Sequence, residues 1–245
     1  MMRKCYLLLG ASSELCCAFM EHHNWEEDDE IIAQYCHNRN KLEKIQKAIP
    51  AKMDLWQADF SSGGSMENFV AKLRQKKIVP THILHVPAIP IENMRFTEIG
   101  WQDTEKQLSV QCRSLWMVLQ AVIKEMAKAK TGKIIIGLSS ATINVPPKFL
   151  AGYVTAKYAL MGLGKALASE YASKGIQVNM ISPSMMETKF LTNIYNGVVE
   201  QAATANPLKR NARPEDLVTL IEFLFSSNNT FITGGNFPVT GGETF

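Results

Sequence analysis

A doubly wound α/β domain with a mostly parallel sheet is the architecture this chain predicts, and three observations predict it. Short apolar runs (KCYLLLG, EIIAQYC, HILHV, KIIIGLS, IQVNMIS) recur along the chain, and segments with helical periodicity separate them. Such runs suit strands buried on both faces, and regular strand–helix alternation makes the sheet parallel with helices above and below. No Pro/Gly-rich linker, repeat or shift in composition divides the 245 residues, so they read as one domain, 1–245.

The elements follow in order. KCYLLLG ends in Gly10 and forms the first strand, with a helix from about Glu14 to His23 behind it. EIIAQYC is the second strand and KLEKIQKAI its helix. MDLWQAD is the third, followed by SMENFVAKLRQKK with Ser65 as a plausible cap. HILHV is the fourth strand, and Gln102 to about Lys128 reads as one long helix. KIIIGLS precedes a helix over Tyr153 to Ser173, and IQVNMIS precedes one over Pro214 to Phe225 that starts with proline in its first turn. NFPVTG closes the series as a seventh strand.

Composition narrows the function classes. With 46% hydrophobic and 20% charged residues the chain can bury a sizeable core. A net charge of +3 is too mild to argue for nucleic acid or a membrane surface. No apolar run approaches the roughly 18 residues of a membrane span, and MMRKCYLLLG lacks a signal-peptide cleavage region, so a cytoplasmic location is expected. Five cysteines at irregular spacing suit buried thiols in a reducing compartment. The adjacent His22 and His23 have no ligand-spaced companions, and no metal is expected.

Chemistry concentrates in SSATINVPPKFLAGYVTAKYAL, Ser139 to Leu160. Ser139 and Ser140 end the fifth strand, while Tyr153 and Lys157 lie four apart on one face of the next helix. The carboxyl ends of strands line the ligand crevice of such a sheet, so these groups can converge on one carbonyl. Tyrosine is too weak an acid to shuttle protons readily at neutral pH. A nearby ammonium stabilises its phenolate and draws its pKa down, and a serine hydroxyl can bond an oxygen as charge develops on it. Tyr-x-x-x-Lys alone is a weak signal; the serine upstream at a strand end sharpens it.

These residues resemble the short-chain dehydrogenase/reductase family almost end to end. Ser140, Tyr153 and Lys157 fall at that family's Ser…Tyr-x-x-x-Lys spacing. ISPSMMET resembles its Pro-Gly-x-x-x-Thr stretch, with Pro183 and Thr188 in place and Ser184 for the glycine. NPLKRNARPEDLVTLIEFLFS and FITGGNFPVTGG are similar to the C-terminal region of 3-oxoacyl-(acyl carrier protein) reductases. The resemblance implies a single Rossmann-type domain with a seven-stranded sheet, a substrate lid at about 188–210, and a homodimer or homotetramer built through the two long helices. It implies NADP(H)-dependent reduction of a 3-oxoacyl-type or related ketone, small or carrier-bound, with Tyr153 as proton donor. Ser140 would orient the carbonyl, Lys157 would lower the Tyr153 pKa and position the cofactor ribose, and Gln111 would stand for the relay asparagine. Cofactor contacts are implied for Gly10, Ser12, Ser13, Leu15, His37, Asn38, Arg39, Asp59, Ala88, Lys157, Pro183 and Thr188.

Three departures bear on that expectation. The glycine-rich loop becomes Gly10-Ala-Ser-Ser-Glu14-Leu15-Cys16, which keeps only its first glycine. A carboxylate at Glu14 suits the helix dipole but competes with a phosphate for it, and two charges ~4 Å apart repel by about 4 kcal/mol under surface-like screening. The Asn-Asn-Ala-Gly after the fourth strand becomes Val86-Pro87-Ala88-Ile89, and the relay asparagine becomes Gln111. The second strand ends in His37, Asn38 and Arg39 with no acidic residue, which favours NADP(H) and leaves NAD(H) open. The alternative is an impaired family member that binds no cofactor and acts as partner subunit or binding module of a related reductase. An isomerase, dehydratase or sugar-modifying enzyme on this fold is a further alternative.

Overall fold

The first strand, β1 (Cys5–Leu9), sends Leu7 and Leu9 into one layer of the core and Tyr6 and Leu8 into the other, all essentially inaccessible. Alternation of side chains across a strand makes this the local reason for burial on both faces. Each such fully buried leucine contributes about 1.5–3 kcal/mol of apolar transfer. The computed structural model describes residues 3–244.

Six further strands follow: β2 (Glu30–Tyr35), β3 (Lys52–Gln57), β4 (His82–His85), β5 (Gly132–Gly137), β6 (Ile176–Pro183) and β7 (Asn236–Val239). They form one sheet of order β3-β2-β1-β4-β5-β6-β7, and every adjacent pair is parallel. The expectation of a mostly parallel sheet is therefore met without an antiparallel edge.

One face is covered by α1 (Glu14–His22), α2 (Arg39–Ala48) and α8 (Glu215–Phe225), through residues such as Phe19, Leu42 and Ile221. The other is covered by α3 (Gly63–Gln75), α5 (Ser114–Ala129) and α6 (Ala151–Tyr171), through Phe69, Val118 and Leu160. A short helix, α4 (Trp101–Leu108), precedes α5, and α7 (Asn196–Ala205) lies between β6 and α8. No helix among the described residues is long and apolar enough to cross a membrane.

Two local expectations differ from the structure. The single helix over 102–128 is broken into α4 and α5 by one π turn at Ser109–Arg113, centred on Gln111. Periodicity does not reveal an extra residue in a turn, because the apolar face resumes on the far side. The helix after β3 is capped by Ser62, whose hydroxyl accepts from the Ser65 amide, while the Ser65 hydroxyl instead accepts from Asp59 N.

Candidate active site

Neighbouring β1 and β4 carry their helices to opposite faces, so a crevice opens beyond their carboxyl ends. Gly10, Val86, Ser139 and Ser184 follow the ends of β1, β4, β5 and β6 around this crevice.

Gly10 is required twice over. Its φ is +77°, and a Cβ there would sit 3.0 Å from the Pro87 nitrogen of the loop after β4. Its amide donates to Gln34 Oε1 at 2.8 Å, while Gln34 Nε2 donates to the Ala58 carbonyl at 2.7 Å. Buried Gln34 thus ties the ends of β1, β2 and β3 together, a role the sequence reading missed. The signal was one polar residue inside the apolar run EIIAQYC.

Ser13 caps α1 by accepting from Cys16 N at 3.2 Å, so its hydroxyl serves the helix, and the Leu15 side chain lies in the core. Cys16 is inaccessible and occupies the packing position left by the missing glycine. Glu14 lines a cleft of about 320 Å³ with Cys17, Ala18 and Glu21 of α1, facing Lys41 and Arg213. That stripe runs along the flank of α1. The first-turn amides of Glu14 and Leu15 make no bond to other described residues. Two free amides at a helix N-terminus fit a pyrophosphate.

At the adenine end, Asn38 adopts φ +62° ahead of α2, and His37 Nε2 lies 3.4 Å from Cys36 Sγ. Arg39 is engaged by its own helix, with Nε 2.8 Å from Glu43 Oε1. Asp59 Oδ1 accepts from the Ser61 amide and hydroxyl at 2.8 and 2.7 Å. Those bonds to Ser61 hold its carboxyl below the usual range, with His37 and Lys106 contributing. Thr188 donates to the Met186 carbonyl at 3.3 Å, Pro183 ends β6, and Ala88 is half-buried in the loop after β4.

Ser139, Tyr153 and Lys157 form the chemical centre. Ser139 and Ser140 both follow β5 here, and the Ser139 side chain is near enough to Tyr153 to favour its phenolate. Ser139 caps a 3₁₀ turn that Ser140 opens, accepting from Ala141 N at 3.2 Å. Burial pushes Tyr153 up to about 12, with the Ser139 bond pulling the other way. Lys157 Nζ lies 5.6 Å from the Tyr153 ring centroid and donates to the Gly137 carbonyl at 2.8 Å. Burial draws its pKa down to about 7. The expected lowering of Tyr153 by Lys157 is therefore not seen: the ammonium is directed at a carbonyl, and desolvation dominates the phenol.

Gln111, at the centre of the π turn, is fully buried and donates through Nε2 to Gln107 Oε1 at 2.6 Å. Its amide is held along its own helix. Above Tyr153, Phe190 stands 6.1 Å away centroid to centroid and packs with Ile91, Leu150 and Ile194 in a small apolar cluster. Among the described residues no group of three or more His, Cys, Asp or Glu side chains is placed to hold a metal.

A doubly wound sheet with a serine, tyrosine and lysine at its crevice defines a nucleotide-dependent oxidoreductase scaffold. The family model described as Enoyl-(Acyl carrier protein) reductase matches residues 23–244. The chain belongs to this family, the short-chain dehydrogenase/reductases. It is 32% identical over 157 residues to oxidoreductase UcpA of Salmonella typhimurium (strain LT2), covering 61% of this chain. The chain spans 60% of the length of that curated relative. It is 28% identical over 189 residues to 3-oxoacyl-(acyl carrier protein) reductase FabG of Chlamydia pneumoniae, covering 76% of this chain and 75% of that one. A solved 4-hydroxyisoleucine dehydrogenase mutant, complexed with NADH and succinate, superposes with TM-score 0.86 over 98% of both chains at 26% identity.

Proposed function

We propose that this chain reduces a ketone, of 3-oxoacyl type or a related small carbonyl, at the expense of a nicotinamide cofactor. The convergence of Ser139, Tyr153 and Lys157 at the carboxyl end of β5 carries this reading. The Tyr153 phenol stays protonated through the neutral range and so presents a donor to a carbonyl oxygen. Tyr153 gives its proton to the carbonyl oxygen as charge develops there, and Ser139 donates a hydrogen bond to the same oxygen. Lys157 holds a positive charge beside them. The nicotinamide, when bound, supplies the hydride. Gly10, Ser12 and the free amides of Glu14 and Leu15 would hold its pyrophosphate, His37 to Arg39 and Asp59 its adenosine end, and Ala88, Pro183 and Thr188 the remainder.

NADP(H) is favoured because β2 ends without a carboxylate and with His37 and Arg39 nearby. Residues 188–210 would serve as the lid, since Phe190, Leu191 and Ile194 pack with Tyr153. Exposed Trp116 and Tyr158, on α5 and α6, support assembly into dimers or tetramers through those helices. A second reading, an impaired subunit paired with a related reductase, draws support from the Gly10 amide, which Gln34 already engages.

Titration with NADPH and NADH, followed by nicotinamide fluorescence, separates the two. Micromolar binding, followed by carbonyl reduction that Tyr153→Phe abolishes, is the expected result. Failure of both nucleotides to bind at millimolar concentration would leave only the subunit reading.

A further inference from the structure

Two buried acceptors on the α5–α6 side of the sheet have no donor among the described residues. His85, the last residue of β4, is inaccessible, and its Nε2 lies 3.0 Å from Ser114 Oγ. The single hydroxyl proton of Ser114 goes to the Val110 carbonyl 2.6 Å away, so Ser114 accepts from His85 and the ring proton sits on Nε2. Nδ1 is left as a lone pair with no partner among the described residues, and Gln111 Oε1 is likewise unpartnered. Leaving a buried acceptor unpaired costs about 1–3 kcal/mol.

Lys157 has the opposite imbalance. Its ammonium carries three donors, and one is used on the Gly137 carbonyl. Gly137 follows Ile136, the residue of β5 paired with His85, and a Cβ on Gly137 would lie 3.3 Å from the His85 carbonyl oxygen. The two side chains thus approach the same strand ends from β4 and α6. Burial and the Lys157 charge hold the His85 imidazole down to about 3, so it remains a neutral acceptor across the working range. Ser114 from α5 and Gln111 from the π turn, which also face this region, are uncharged.

We propose that His85 is a positioning residue for Lys157, its Nδ1 accepting from the ammonium through one bound water. The contact favours the charged amine and fixes it beside Tyr153. It rests on the reading of Lys157 as part of a carbonyl-reducing site.

The test is an NMR titration of the full chain labelled with ε-¹³C-lysine, the Lys157 resonance being assigned by its loss in Lys157→Met. Asparagine at position 85 offers an oxygen where Nδ1 stands, and glutamine offers an amide where Nε2 stands. His85→Val is expected to lower the Lys157 midpoint by about one pH unit, because a hydrogen bond to the charged form favours it. His85→Asn restores most of that shift and His85→Gln does not. Should His85→Val fail to fold, His85→Asn and His85→Gln carry the test, the first expected to keep the midpoint and the second to lower it. An unchanged midpoint in His85→Val, or a midpoint kept by Gln and lowered in Asn, overturns the assignment. The titration needs no turnover, so a wild-type protein inactive on every ketone refutes the reaction while leaving the His85–Lys157 contact decided.

Discussion

Lys157 Nζ stands 5.6 Å from the Tyr153 ring centroid, and the Ser139 side chain opposes the upward pull of burial on that phenol. Replacing Ser139 with alanine should lower kcat/KM by about 10²-fold, the usual scale for one donor to a developing oxyanion. Ser140→Ala should cost less than about tenfold. Steady-state kinetics of the two variants on one ketone checks the order, and a larger loss in Ser140→Ala would return the role to the residue chosen by spacing.

Gln34 holds three strand ends through two side-chain bonds near 2.8 Å. Gln34→Leu removes both and strands the Gly10 amide and the Ala58 carbonyl. A loss of about 2–4 kcal/mol is expected, from one to two buried groups left unpaired. Urea denaturation of the apo protein measures it.

Glu14 faces Lys41 and Arg213 across a cleft on the flank of α1. Its charge should therefore disturb a bound pyrophosphate far less than contact repulsion would. Glu14→Gln is expected to tighten NADPH binding by less than about tenfold, that is under about 1.4 kcal/mol. A hundredfold gain in the nucleotide titration would place the carboxylate against the phosphates.

Acid should weaken the fold through its buried histidines. Burial lowers His82 to about 4 and His85 to about 3, while both unfold to the ordinary value near 6.5. Between those limits the unfolded chain binds more protons, so stability is complete above about pH 6.5 and declines as pH falls towards 4 and 3. At about 1.4 kcal/mol per unit, His82 alone removes about 3 kcal/mol. Chemical denaturation at pH 7 and pH 5 tests the slope, which should shrink in His82→Gln.

Lys157 acts in the same sense on the basic side. Its folded value of about 7 lies far below the ordinary lysine value, so stability rises with pH between about 7 and 10.5. At neutral pH the buried charge is a strain on the apo fold. Lys157→Met should raise the melting temperature by about 4–8 °C, equivalent to about 2 kcal/mol in a chain of this size, while abolishing reduction.

Much of the architecture was legible from one dimension. Continuous apolar runs such as CYLLL and KIIIG announced strands buried on both faces, because each pleat face meets a helix layer. Tyr153 and Lys157 were legible because helical spacing fixes their shared face. Which of Ser139 and Ser140 serves Tyr153 was not, since both follow the same strand end. Gln34 and His85 were hidden for a related reason: their partners are Gly10, Ala58 and Ser114, 24, 24 and 29 residues away in sequence.

Sequence alone settled what depends on period and composition: strands, helices, their alternation, and the tyrosine–lysine pair. Tertiary packing decided what depends on desolvation and on which groups meet across strands. It raised Tyr153, lowered Lys157, aimed that ammonium at Gly137, turned Glu14 along the flank of α1 and tied Gln111 to its own helix. Local propensity acts over a few residues, whereas burial and hydrogen-bond satisfaction are properties of a closed interior, and so the fold was written plainly while the working state of its site was not.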